Sequence, residues 1–116
     1  MAPYTFLENI ETDVRIPESG VRSKTVFDDE GLRVVVFGFA SGHEMPVHSA
    51  PMPIVLYLVR GEVEVTAGAE RISARAGAFI HMEPQVPHGI LAKTPVTMVL
   101  MMLKQVRREI EPEKQQ

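Results

Sequence analysis

The residues of this chain best suited to hold a metal or move a proton are four histidines, His43, His48, His81 and His88. There is no cysteine, so thiolate ligands, cysteine nucleophiles and disulfides are excluded. His48 follows Gly42 by six residues, His88 follows Gly77 by eleven, and Gly61 lies between the two frames. In EPQVPH (83–88) the prolines pre-set the loop that delivers His88. Alternate residues on a strand share a face. His48 is thereby grouped with Ala50, His88 with Ile90 and Ala92, and Ile54 with Leu56 and Leu58. Two imidazoles are too few for a tight metal centre. Zinc normally takes at least three protein ligands, and the non-haem iron triad takes two histidines and a carboxylate.

Local supplements are scarce. His43 lies five residues before His48, an odd offset that puts it on the opposite face of an unbroken strand. Gly42 and Pro46 argue for a break, which would let His43 swing in as a third nitrogen. An exposed loop histidine is the preferred reading, and Glu44 is read the same way. His81 alternates with Ile80 and Met82 and is expected to pack on a strand or at a subunit contact. Glu83 reads as a loop carboxylate near the mouth of any site. Met98, Met101 and Met102 read as core filling, whereas Met52 is placed to border a site as a soft wall or thioether donor. Tyr57, opposite in face to Ile54, is expected outward or between subunits.

The elements that must position these residues are short. Nine prolines and eight glycines punctuate 116 residues, and valine, isoleucine and phenylalanine cluster in runs bounded by turns. Strands are predicted at 21–27, 32–40, 54–59, 62–67, 71–76, 78–82, 87–92 and 96–103. Residues 28–31 are expected to turn, and Ser41–Pro46 to turn the chain towards His48. The run LRVVVFGFA (32–40) is apolar on both faces, as where sheets are covered on both sides. Eight or so strands at this spacing suggest a small barrel or two-sheet sandwich. The stretch before Val21 is expected to form an arm that pairs with a neighbour, and 104–116 a short charged helix or a frayed end.

Composition bounds the rest. One domain with one core suits this length. Apolar content is 45%, charged content 23% and net charge −3, ordinary values for a globular protein. The scattered lysines and arginines lack the basic footprint of a nucleic-acid binder. No stretch is long enough to span a bilayer as a helix. The acidic N-terminus lacks a signal-peptide pattern, so a cytoplasmic protein is expected. No P-loop, dinucleotide fingerprint or Gly-x-Ser-x-Gly elbow occurs.

Over about residues 30–103 the glycine–histidine frame resembles the cupin superfamily. The first cupin motif runs Gly, five residues, His-x-His, three or four residues, Glu, six residues, Gly. Gly42, His48 and Gly61 fit it, while Ala50 and Ile54 stand at the second histidine and the glutamate. The second motif runs Gly, five residues, Pro-x-Gly, two residues, His, three residues, Asn. Gly77 and His88 fit, while Glu83, Gln85 and Ala92 stand at the proline, glycine and asparagine. Within the superfamily the chain is similar to short stand-alone proteins whose first motif reads His-x-Ala-Pro.

The resemblance implies an all-β, single-domain cupin over residues 1–116, a double-stranded β-helix or jelly-roll barrel. Its core would span about 21–103, between an N-terminal arm and a charged C-terminal tail. The two motifs would face each other across a pocket lined by His48, Ala50, Met52, Ile54, Leu56, Met82, His88 and Ile90. The function implied is binding of a small molecule beside a reduced metal site, His48 and His88 with His43 as supplement. That site would hold Zn, Ni, Mn, Fe or no metal. Two alternatives stand beside it: a metal-dependent oxygenase using His48 and His88, and a structural or regulatory scaffold. The partners implied are a small-molecule ligand and a second copy in a homodimer, with neither nucleic acid nor membrane.

Overall fold

The structure is a computed structural model that describes residues 3–104. Nine strands are connected in the order β1 (Val21–Asp28), β2 (Leu32–Phe39), β3 (Glu44–His48), β4 (Ile54–Arg60), β5 (Glu62–Ala67), β6 (Glu70–Arg75), β7 (Phe79–Met82), β8 (His88–Ala92) and β9 (Val96–Leu103). They form two antiparallel sheets, β1-β2-β9-β4-β7 and β3-β8-β5-β6. One turn of 3₁₀ helix, Ile10–Thr12, precedes them. The two sheets fit the barrel or sandwich that the strand pattern suggests, and their topology is the double-stranded jelly roll that the resemblance implies.

Short connections stack the sheets. Residues 40–43 carry β2 over to β3, Gly61 carries β4 to β5, 76–78 carry β6 to β7, and 93–95 carry β8 to β9. Each strand of the smaller sheet therefore lies beneath its sequence neighbour in the larger one. These four short crossings sit at one end, and the connections 49–53 and 83–87 also pass between the sheets. Gly61 has φ +94, and a Cβ there would lie 2.2 Å from the Pro95 carbonyl oxygen, so this tight crossing requires glycine. The remaining loops, 29–31, 49–53, 68–69 and 83–87, sit at the other end with both motif histidines.

Alternation fills the space between the sheets. Ile54, Leu56 and Leu58 of β4 meet Phe39 of β2, Met98 of β9, and Val63 and Val65 of β5, all at most 2% exposed. Burial of this kind contributes about 25 cal/mol per Å² of apolar surface.

Two expectations are corrected. Ser41–Pro46 does not form a turn throughout, because β3 already starts at Glu44. β3 is an edge strand, where a proline without an N–H is tolerated. The N-terminal arm, expected to pair with a neighbour, instead lies over the outer face of its own larger sheet. Val14 packs with Val36 and Val99 in a second apolar cluster. The arm passes close above Gly38, where a Cβ would meet the Arg15 carbonyl oxygen at 3.1 Å and Val14 Cγ1 at 3.2 Å. The tail expectation for 104–116 lies outside the described residues except at Lys104.

Candidate functional site

His48 and His88 are direct cross-strand partners on β3 and β8. Their register depends on a β-bulge. Met45 pairs with Ile90 and His48 with His88, so three steps on β3 match two on β8. Without the extra residue His48 would face away from Met45. With it, both face the barrel interior. Gly89 makes the bulge sterically feasible, because a Cβ there would lie 3.0 Å from Val47 Cγ2 and 3.2 Å from the Met45 carbonyl oxygen.

The two rings lie with centroids 4.4 Å apart and planes at 57°. His88 is buried at 5% exposure, whereas His48 is exposed on its edge strand. Each ring places Nδ1 on a backbone carbonyl two residues back, His48 on Pro46 at 3.0 Å and His88 on Val86 at 2.9 Å. A carbonyl only accepts, so in the neutral ring Nδ1 carries the proton and donates it. Among the described residues neither Nε2 lone pair then has a protein donor. The loops that carry the rings are fastened together: Gln85 N–H donates to the Ala50 carbonyl at 2.7 Å, and Gly68 N–H donates to that of Pro87 at 2.7 Å.

This spacing tests the fit of a metal. With a metal–nitrogen bond of about 2.1 Å, a metal sits roughly 3.2 Å from each ring centre, so two ligands at right angles put the centres about 4.5 Å apart. A linear pair at the same bond length needs about 6.4 Å. The observed 4.4 Å matches two adjacent positions of one coordination shell. Further protein donors are lacking. No group of three or more His, Asp or Glu among the described residues is placed to hold a metal. The pair supplies two imidazoles, fewer than the three protein ligands a zinc centre normally takes, and no third donor among the described residues joins it.

His43 is not brought to the pair. It stands at the far end of β3, where its N–H donates to the Ala40 carbonyl and its carbonyl accepts from Ala92 N–H. Ala92 is four residues along β8 from His88, or about 13 Å at 3.3 Å per residue. The His43 ring lies instead 3.5 Å from Ser19 Oγ, and Glu44 pairs with Leu91 near that same end. Of the other expected lining residues, Ala50 and Met52 are half-buried in the loop beside His48. Ile54, Leu56, Met82 and Ile90 are only 1–4% exposed, so they are the packed floor beneath the pair. His81 and Phe79 face outward and are exposed, as is Tyr57.

Four charged residues at this mouth, Arg33, Asp28, Lys104 and Glu70, are not singled out by the sequence. Arg33 alternates with Val35, Phe37 and Phe39, which all join the inner core, and it pairs across to Met102. It therefore occupies the inner register at the histidine end of β2, the strand stacked over β3. Its Nε and Nη2 both donate to Asp28 Oδ2, at 3.2 and 3.1 Å. Lys104 grips the other Asp28 oxygen. The Lys104 ammonium and then the Arg33 guanidinium hold the Asp28 carboxyl below its usual value. Glu70 ends the row His48–His88–Ala67–Glu70, on the side away from Arg33. The one available signal is parity, since Arg33 is an even step from the apolar inner residues of β2.

A jelly-roll barrel with facing histidine motifs at one mouth defines the class of protein, and comparison supplies the family. The model of the cupin domain matches residues 35–104, and the chain belongs to that family. A conserved protein of unknown function from Streptococcus pyogenes superposes with a TM-score of 0.80 at 24% identity, over 91% of this chain and 93% of that one. An RmlC-like cupin from Desulfovibrio desulfuricans gives a TM-score of 0.71 at 27% identity, covering 89% and 96%. KdgF from a Halomonas species gives 0.73 at 24%, covering 88% and 96%. No curated protein matches the sequence. Among the described residues no helix is long and apolar enough to cross a membrane.

Proposed function

We propose that this cupin binds a small molecule at the histidine mouth, with His48 and His88 able to anchor a divalent metal (Zn, Ni, Mn or Fe) beside it. The observation that carries the reading is the pair itself: two adjacent imidazoles whose Nδ1 atoms are engaged by backbone and whose Nε2 atoms meet no partner among the described residues. Such outer hydrogen bonds orient metal-binding histidines and raise their basicity. The oxygenase reading ranks lower, because no carboxylate among the described residues joins the pair to complete a facial triad. The scaffold reading leaves the matched orientation of the rings without a role.

Metal analysis and calorimetry test the proposal. Metal is expected at less than one per chain after tag-free purification, and chelator should strip it readily. His48→Ala and His88→Ala should each abolish titratable binding, and His81→Ala should not. Imidazole must be neutral to bind metal, so occupancy falls in acid. Binding that survives in His88→Ala would refute the assignment. The proposal also takes the protein as a cytoplasmic homodimer, on the lack of cysteine and on the exposed aromatics Tyr57 and Phe79 of the outer sheet face.

A further inference from the structure

At the crossing end, away from the histidine mouth, the outer face of the larger sheet carries a row of polar residues. Arg22 of β1 pairs with Gly38 of β2, Gly38 with Thr97 of β9, and Thr97 with Arg60 of β4. Val36 and Val99 lie two steps from Gly38 and Thr97 and belong to the outer cluster, which fixes the row on that face. A bulge between Leu58 and Arg60 turns the arginine into it. Gly38 has no side chain, so the arm lies directly on it and brings Arg15 to the row.

Arg15, Arg60 and Thr97 line one open cleft of about 510 Å³, with apolar walls at Ile16 and Pro95. Both guanidiniums are exposed and join none of the ion pairs among the described residues. Thr97 is only 6% exposed. No buried polar side-chain atom lacks a partner among the described residues, and the Thr97 hydroxyl bonds to none of them. The hydroxyl is therefore the part of Thr97 that opens into the cleft. Glu11 is the one carboxylate on the cleft wall, against two arginines.

We propose that this cleft binds the phosphate group of a small molecule. A carboxylate is planar and is satisfied by a single guanidinium fork. A phosphate monoester carries nearly two charges and three acceptor oxygens, which two guanidiniums and a hydroxyl match. Ile16 and Pro95 take the body of the ester.

The test is a nitrogen-15 NMR titration of the full-length protein with phenyl phosphate, inorganic phosphate and benzoate. Phenyl phosphate is expected to shift the Gly38 and Thr97 amides and to bind at least tenfold more tightly than benzoate. Weaker binding of inorganic phosphate would identify an ester as the source of the group, and equal binding the free anion; the phosphate site stands in both cases. Arg15→Gln and Arg60→Gln should each weaken phenyl phosphate at least tenfold. Thr97→Val, which keeps the shape of the side chain, should weaken it at least threefold, and Glu11→Gln should tighten it. Arg75→Gln, at an exposed arginine of the smaller sheet, should change nothing. Should Thr97→Val not fold, Arg60→Gln decides, because its position is exposed. Equal loss in Arg75→Gln would mean unspecific charge attraction and overturn the proposal. Benzoate binding as tightly as phenyl phosphate would overturn it too, as would shifts confined to other residues or no shift at millimolar ligand.

Discussion

Gln85 has φ 69 and is the one non-glycine at positive φ among the described residues. The left-handed region costs a residue with a Cβ about 1–2 kcal/mol. Gln85 stands where the second cupin motif has its glycine, so the structure explains the motif: the loop before His88 needs that turn. Gln85→Gly should stabilise the fold by about 1 kcal/mol, after the extra entropy glycine loses on folding, read as a higher urea midpoint. The other substituted motif positions behave differently. Ala50 is half-buried, and Ile54 is 2% exposed. Ala50→His should fold readily. Ile54→Glu should cost on the order of 3 kcal/mol as an uncompensated buried charge. In the double variant, added Zn(II) should restore the melting temperature and bind far more tightly than to the parent. A folded double variant that binds no better would show that this frame is not that of a metal site.

At the scale of elements, the strands are legible in the sequence and their irregularities are not. β5 and β9 match the predicted runs, because alternation and turn residues bound them clearly. β3 is hidden, because Pro46 and Gly42 suggest a turn and a bulge breaks the parity that alternation relies on. Gly89 is the visible trace of that bulge. Gly89→Ala should press on Val47 and Met45 at a cost of about 1–3 kcal/mol. It should also weaken metal binding by turning His48, and calorimetry with Zn(II) checks both together with thermal melts. Unchanged affinity would mean that the bulge yields without moving the ring. At the end of β9, Lys104 and Arg33 bind Asp28, and the sign of the pH effect follows from its lowered pKa. That contribution is complete above the ordinary aspartate value and is lost as pH falls through the lower folded one. Carbon-13 titration should place Asp28 below free aspartate, and Lys104→Ala should raise it more than Arg33→Ala.

For the whole molecule, the two-faced apolar run of β2 calls for a covering partner, and half of that demand is met internally. Val36, on the outer face of β2, is fully buried with Val14 of the arm. This covering cannot be read in the sequence, because Ile10 and Val14 are isolated apolar residues with no strand period. The arm's apolar cluster reaches the β4–β7 side at Val59. There Tyr57 and Phe79 are cross-strand partners, 40% and 65% exposed, with exposed His81 next along β7. Adjacent aromatics on a regular outer sheet form a flat surface that a two-fold axis can match to itself. The expected state is a homodimer through this face. Sedimentation equilibrium should give a dimer at micromolar concentration, and Phe79→Asp with Tyr57→Ser should give a monomer with unchanged circular dichroism. The mouth lies at the end of the barrel rather than on this face, so the monomeric variant should keep the metal affinity of the parent. A native chain that sediments as a monomer at that concentration would leave the aromatic pair without a partner of its own kind and sink the dimer.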